Sequence, residues 1–230
     1  MPSHTTPSHP LPLGHLAWFS ALLPLVTMHL SWLLASWEGY IHWCLPYWAD
    51  CTSISKTGRN GLAYFVFKGG MIATATQLVA LWILNRHWLR SLGAGPGRLM
   101  PVLGTIASVA LLTYTLSLGH AGDTFRLLRR FGVVAYLGLS FILLAITAHH
   151  LLSTRLRRSG QKMQAYSAAL LAIALFSLVL DAWMGSAYDR IEDAFEWWLI
   201  LLLNLQLFWL ARLWKGSELA ISIKPGTELE

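Results

Sequence analysis

Four carboxylates lie on one face of a predicted helix near the end of the chain. Their spacing of i, i+3, i+4 and i+7 aligns side chains in an α-helix: Asp189, Glu192, Asp193 and Glu196. A long apolar run to Leu213 begins at the same place, and a charge beside hydrocarbon is costly unless it is paired, hydrated or coordinated. Carboxylates in such a position act as metal ligands, as general acids or bases, or as partners of cations. The stripe therefore predicts a polar chamber or a set of cations near one membrane surface.

Three arginines repeat the helical spacing at the start of another apolar run. They stand at i, i+3 and i+4: Arg126, Arg129 and Arg130. Charges near a membrane interior commonly pair with one another. We therefore predict structural ion pairs between these arginines and the three outermost carboxylates, Asp189, Glu192 and Asp193.

Glu196 lies deeper, about two turns inside the last apolar run, and Lys68 lies at a similar depth in the second. A Lys68–Glu196 pair would satisfy both charges. Two alternatives remain open for the lysine. With Lys56 and Arg59 above it, Lys68 could bind a lipid phosphate, or its long side chain could reach the membrane surface.

The composition places these residues in a membrane protein. Of 230 residues, 55% are hydrophobic and 12% are charged, whereas soluble domains carry about 25% charged residues. A helix needs about 20 apolar residues to cross a bilayer, and six such stretches occur: His15–Ala35, Leu62–Leu84, Leu99–Leu118, Phe131–Leu152, Tyr166–Trp183 and Phe195–Leu213. We predict an all-α, polytopic transmembrane bundle of six helices. The net charge of +6 is interpreted as a result of membrane topology and of attraction to anionic lipids. No nucleic-acid partner is predicted.

The predicted organisation is one transmembrane domain between two short tails. Residues 1–14 form a disordered tail without Lys or Arg, which a cleavable signal peptide would need; residues 15–214 form the bundle, and residues 215–230 a second disordered tail. Lys and Arg are more frequent in the connections on the side of the two termini. The positive-inside rule therefore predicts that both termini are cytoplasmic.

Both cysteines lie in the first external loop, residues 36–61. Cys44 and Cys51 are predicted to form a disulfide in an oxidising compartment, with two unpaired thiols as the alternative. No compact spacing of metal ligands is present, so neither a metal nor another cofactor is predicted.

Two short patches resemble the DRAM-like (Frag/DRAM/Sfk) superfamily of six-helix membrane proteins, which is related to the GPI-anchor remodelling factor. Residues 54–58 match the Ile-Ser-x-Thr-Gly element of that family, and Val66-Phe67-Lys68 is similar to its aromatic Ile-Phe-Arg entry into the second helix. Glu196-Trp197 stands where the family's sixth helix opens with Glu-Trp. The family's Pro-Glu pair is replaced around Leu62 and Ala63. The resemblance implies lipid-linked work, such as GPI-lipid remodelling or membrane lipid organisation.

Two functions are predicted as alternatives. The first is a regulatory, non-enzymatic protein that binds or organises membrane phospholipid through an external pocket: Ser55, Lys56, Arg59, Lys68, Glu196 and Trp197. The second is a membrane-embedded lipid-remodelling enzyme for acyl transfer or ester hydrolysis, with or without a metal. Its candidate residues are a histidine base, an orienting carboxylate and a serine nucleophile. They are His120 or His42, Asp123 or a carboxylate of the stripe, and Ser55 or Ser53.

The expected partners are membrane phospholipids, together with a membrane protein or a second copy of the chain. The expected location is the inner membrane if the protein is bacterial, and an endomembrane or the plasma membrane if it is eukaryotic.

Overall fold

A computed structural model describes residues 11–12, 14–217 and 220–221. Six long helices and one short helix follow in order: α1 (Gly14–Trp37), the short α2 (Ile54–Thr57), α3 (Gly61–Ser91), α4 (Leu99–Ser117), α5 (Asp123–Leu151), α6 (Arg157–Met184) and α7 (Asp189–Gly216). All six long helices are long and apolar enough to cross a membrane. The predicted six-helix transmembrane bundle is confirmed, and the protein is a multi-pass integral membrane protein.

Several helices extend beyond the apolar runs. α5 begins at Asp123, ahead of the run that starts at Phe131, and α7 begins at Asp189, ahead of the run that starts at Phe195. Backbone hydrogen bonding continues past the hydrocarbon boundary because each added turn satisfies further amides and carbonyls. The arginine stripe and the carboxylate stripe therefore lie on the first turns of two membrane helices, as their spacing indicated.

The helices pack in a ring. α1 packs on α3 and α7, α3 on α4, α4 on α5, and α6 on both α5 and α7. Direct contact between α5 and α7 is slight, so α6 bridges them from outside. We call the end of the bundle that holds the connections 38–60, 118–122 and 185–188 the cysteine-loop face. The first residue of α1 and the last residue of α7 lie at the opposite face, and which face is cytoplasmic stays a prediction.

Most of the predicted tails, namely residues 1–10, 13, 218–219 and 222–230, lies outside the described residues. Within the described part, Leu11–Pro12 (β1) pairs antiparallel with Ala220–Ile221 (β2). These two short strands replace the disorder predicted for their four positions, and they join the residues before α1 to the residues after α7.

The interior of the bundle contains a polar network beside large aromatic residues. Asn85 of α3 is fully buried and donates to the Thr147 hydroxyl of α5 at 2.7 Å. Its carbonyl oxygen accepts from the Trp214 indole of α7 at 3.4 Å. The network joins three helices where hydrocarbon offers no alternative partner.

Candidate functional site

The connection between α1 and α3 is a closed loop that lies on the end of the bundle. Cys44 and Cys51 form a disulfide with their Cα atoms 5.5 Å apart, which confirms the predicted pair. We call residues 38–60 the cysteine loop. Its packing decides where most of the predicted site residues lie.

Aromatic side chains anchor the cysteine loop inside the bundle. The Trp197 indole donates to the Thr52 carbonyl at 2.7 Å, and the Trp198 indole donates to the Tyr47 carbonyl at 3.1 Å. The Tyr47 hydroxyl lies 2.7 Å from Nε2 of His29, and burial raises the pKa of Tyr47. Trp197 is fully buried. It therefore fixes the loop and does not line a headgroup pocket, which corrects the role predicted for it.

Ion pairs hold the same loop to the first turns of α7. The Arg190 guanidinium lies 2.6 Å from the Asp50 carboxylate, and its hydrogen bonds hold the pKa of Asp50 below its usual range. The Asp50 amide also donates to the Arg190 carbonyl at 2.7 Å. Lys56 lies 3.6 Å from Asp193. Part of the carboxylate stripe thus faces the cysteine loop.

Glu196 has a different partner from the one predicted. Its carboxylate lies beside the amide of Ile54, with Lys56 as a nearby cation. Ile54 is the first residue of α2, and the first amides of a helix lack intrahelical acceptors. A carboxylate beside these amides compensates their partial positive charge. The Lys68–Glu196 pair is therefore corrected: Glu196 meets the start of α2.

Lys68 instead lies at the end of α4. Its ammonium donates to the Tyr64 hydroxyl at 2.6 Å and to the Leu116 carbonyl at 3.5 Å. It also stands 4.3 Å from the centre of the Tyr64 ring, within cation–π range. The last carbonyls of a helix lack intrahelical donors, so the lysine is used to satisfy one of them.

Arg129 completes the end of α4 from the other side. One of its guanidinium nitrogens donates to the carbonyls of Ser117 and His120, at 3.0 and 2.9 Å. A cation at a helix C-terminus is also favoured by the helix dipole. This arginine therefore joins α5 to α4 and does not reach the carboxylates of α7.

The predicted ion pairs between the two stripes are absent from the described residues. Arg126 pairs with Asp123, one turn away on its own helix, at 3.3 Å. Arg130, Asp189 and Glu192 are exposed and take part in none of the ion pairs of the described chain. The physical reason is the gap between α5 and α7, since each helix is held by other neighbours.

The predicted lipid pocket is likewise divided. Arg59 donates from Nη2 to the Ser55 hydroxyl at 2.9 Å and from Nε to the Ser55 carbonyl at 3.1 Å. These bonds close a local turn after α2. Lys56 meanwhile points to α7, and Lys68 lies against α4, so the predicted residues do not converge on one headgroup.

The candidate catalytic residues are also apart. The His120 ring is exposed and stacks on Phe125 with 4.8 Å between centroids. Asp123 pairs with Arg126, and the Ser55 hydroxyl is engaged by Arg59. No hydrogen bond joins His120, Asp123 and Ser55 within the described ranges.

A lateral groove, which sequence reasoning missed, opens between α5, α6 and α7. Its volume is about 230 Å³ and its lining is apolar: Leu137, Gly138 and Phe141 from α5, Leu170, Leu171 and Ala174 from α6, and Leu199, Ile200 and Leu203 from α7. Each set spans about one helical turn, in the apolar part of its helix. The groove therefore lies at the depth of the hydrocarbon.

The packing of α6 explains why the groove exists. Near the opposite face, α6 is tied to α7 because Tyr166 donates to the Leu202 carbonyl at 2.8 Å and Gln206 donates to Ser167 at 2.7 Å. Toward the cysteine-loop face, large side chains of α6 such as Leu178 are 64% exposed. α6 thus packs closely at one end and loosely above it. The hydropathy of α6 does not reveal this, because the loosely packed half is the more apolar one.

Two smaller cavities lie on the axis of the bundle. Their volumes are about 30 and 20 Å³, each enough for about one water molecule. Tyr136 and Asn204 line both cavities, and Ser140 lines the second. They are too small for a lipid chain.

The described residues contain no group of three or more His, Cys, Asp or Glu side chains placed to hold a metal ion. Comparison of the chain with models of known protein families, with curated proteins and with solved structures finds no match.

Proposed function

We propose that this multi-pass membrane protein binds a phospholipid in the lateral groove, with one acyl chain between α5, α6 and α7 and the phosphate at Arg130. The observation that carries the proposal is an apolar groove at hydrocarbon depth that ends beneath an unpaired cation. Arg130, Leu137 and Phe141 stand at i, i+7 and i+11 and so share one face of α5. The face leads from the exposed guanidinium down into the groove.

The two ends of the site contribute differently. Bulk lipid is as apolar as the groove, so an acyl chain gains packing but little hydrophobic free energy by entering it. The headgroup supplies the selectivity, because a charge-assisted hydrogen bond contributes about 1.5–3 kcal/mol, or about 10- to 150-fold in affinity. The groove therefore positions the lipid, and Arg130 discriminates against a molecule without a phosphate.

The proposed activity is binding and not turnover, because the described residues near the groove include no nucleophile hydrogen-bonded to a base. The suggested membership of the DRAM-like superfamily is a proposal as well. It agrees with lipid-linked work and is independent of the groove, whose lining residues lie outside the two patches that carry the resemblance.

Filling the groove tests the proposal. Gly138 lines it, is exposed, and would accept a Cβ with no heavy atom within 4 Å. Gly138→Leu places a side chain in the groove without a clash. Gly69 of α3 is also exposed, helical and free of neighbours within 4 Å. Gly69→Leu is therefore a matched control on another lipid-facing surface.

The measurement is native mass spectrometry of protein extracted from lipid nanodiscs with increasing amounts of mild detergent. The parent protein and Gly69→Leu should retain one lipid longest, and Gly138→Leu should lose it at the lowest detergent concentration. Equal lipid retention by all three proteins would show that the groove holds no lipid.

A further inference from the structure

The groove ends in charged side chains on all three of its helices. Each is exposed and lies toward the cysteine-loop face: Arg130 on α5, Asp181 on α6 and Glu192 on α7. Each stands seven positions from a residue that lines the groove: Leu137, Ala174 and Leu199 respectively. Seven positions are two helical turns, which preserve the helix face and correspond to a rise of about 10 Å. The three charges therefore stand above the groove at one depth.

These charges do not neutralise one another. Within the described chain, none of the three takes part in an ion pair. α5 is held by α4, and α7 is held by α1 and the cysteine loop, so the guanidinium and the carboxylates stay on separate walls of the groove. The result is a mouth with one positive and two negative groups over an apolar channel.

We propose that the ligand of the groove is an ethanolamine phospholipid, whose phosphate contacts Arg130 and whose primary ammonium contacts Asp181 and Glu192. This inference rests on the proposed function and adds the class of headgroup. A phosphate and an ammonium joined by two carbons present opposite charges a short distance apart, as the mouth does. The ammonium has three N–H donors, which two carboxylates from two helices can accept.

Other common headgroups fit less well. The quaternary ammonium of choline has no N–H group and cannot donate to either carboxylate. A glycerol headgroup has no ammonium, so it leaves Asp181 and Glu192 without a cation. A serine headgroup adds a third carboxylate to them. The charges of the mouth, together with the need for N–H donors, therefore select for the ethanolamine lipid.

The test uses the full chain in nanodiscs made from equal parts of phosphatidylethanolamine, phosphatidylcholine and phosphatidylglycerol with the same acyl chains. The lipid that remains after mild detergent extraction is identified by mass spectrometry. We expect roughly tenfold enrichment of phosphatidylethanolamine over either competitor, the effect of one charge-assisted hydrogen bond.

Asp181→Asn together with Glu192→Gln should remove this preference. Both side chains are exposed and unpaired, so neither substitution removes an ion pair from the fold. Asp189→Asn is the matched control: it removes an exposed carboxylate from the same helix, three positions before Glu192 and so about one turn farther from the groove. It should leave the preference intact.

The outcomes separate the two proposals. If the parent protein retains a lipid that Gly138→Leu loses, but shows no preference for ethanolamine, the groove is correct and the headgroup assignment is overturned. The assignment is also overturned if the double variant keeps the preference. If Gly138→Leu retains its lipid like the parent, both proposals fail together.

Discussion

Replacing Glu196 distinguishes two arrangements of its carboxylate, one beside the Ile54 amide and one in an ion pair with Lys68. In the structure its carboxylate lies beside the Ile54 amide, and the carboxylates of Asp193 and Glu192 are its like-charged neighbours. Glu196→Gln keeps an oxygen acceptor for the amide and removes the repulsion. We therefore expect the glutamine variant to be about as stable as the parent, or more stable. A Lys68–Glu196 ion pair would predict a clear loss of stability instead.

Glu196→Ala gives the scale of the effect. Ile54 is 3% exposed, so removing the neighbouring carboxylate leaves its buried N–H without an acceptor beside it, which costs about 1–3 kcal/mol. For a chain of this size, 1 kcal/mol lowers the melting temperature by about 2–4 °C. The alanine variant should thus melt about 2–12 °C lower, while the glutamine variant should stay within a few degrees of the parent or above it.

The assay is thermal unfolding in detergent at a fixed scan rate, followed by tryptophan fluorescence, since the order of apparent melting temperatures is the quantity of interest. Asp189→Asn, at an exposed position of the same helix, controls for the removal of a charge from α7. A glutamine variant as unstable as the alanine variant would refute the reasoning, because the charge itself would then be needed. Lys68→Met adds a second check: with Glu196→Gln its effect should be additive.

Two further predictions concern the interior and the cysteine loop. Thr147→Val removes the acceptor of the Asn85 amide and should lower the free energy of unfolding by about 1–2 kcal/mol. Ser140→Ala is the control, because it removes a buried hydroxyl that has no partner. It should lower the melting temperature less in the same assay. Arg190 lowers the pKa of Asp50 in the folded protein. The Asp50–Arg190 pair therefore contributes fully to loop anchoring above the pKa of an aspartate in the unfolded chain, about 3.9. This contribution is lost as the pH falls through the lower pKa of Asp50 in the folded protein. Amide exchange of the loop, corrected for intrinsic rates, should accelerate at that acidic pH in the parent, and Arg190→Gln should remove the part of this change that depends on the pair.

The membrane helices and the disulfide are predictable from the sequence because each depends on a local signal. Twenty apolar residues in succession have few structures available to them other than a spanning helix. The first residues of α5 and α7 are less predictable. Their first turns are polar, so only the helical spacing of their charges, and not their hydropathy, indicates a helix there. The disulfide between Cys44 and Cys51 follows from their sharing one short loop.

The partners of the charged residues are not predictable in the same way, because they depend on which helices touch. Glu196 and Lys68 lie at similar depths, but depth does not reveal that the cysteine loop meets α7 or that Lys68 faces α4. The capping position of Ser53, whose hydroxyl accepts from the Lys56 amide, is a local sign of a short helix in this loop. This sign predicts that α2 begins at Ile54, where a carboxylate is favoured beside the first amides of the helix.

The charges of the cysteine-loop face fall into two groups that imply different functions. Those next to the loop and the end of α4 are satisfied by the protein itself: Arg190, Lys56 and Glu196 hold the loop on α7, and Arg129 holds α5 on α4. The charges above the groove have no partners in the described chain, although satisfied charges lie only a turn or two away. A bundle that needed these charges only for its own stability would gain by closing α5 onto α7 and pairing them. The groove keeps these charges apart. A zwitterionic lipid between α5 and α7 would supply a partner of opposite charge to each helix.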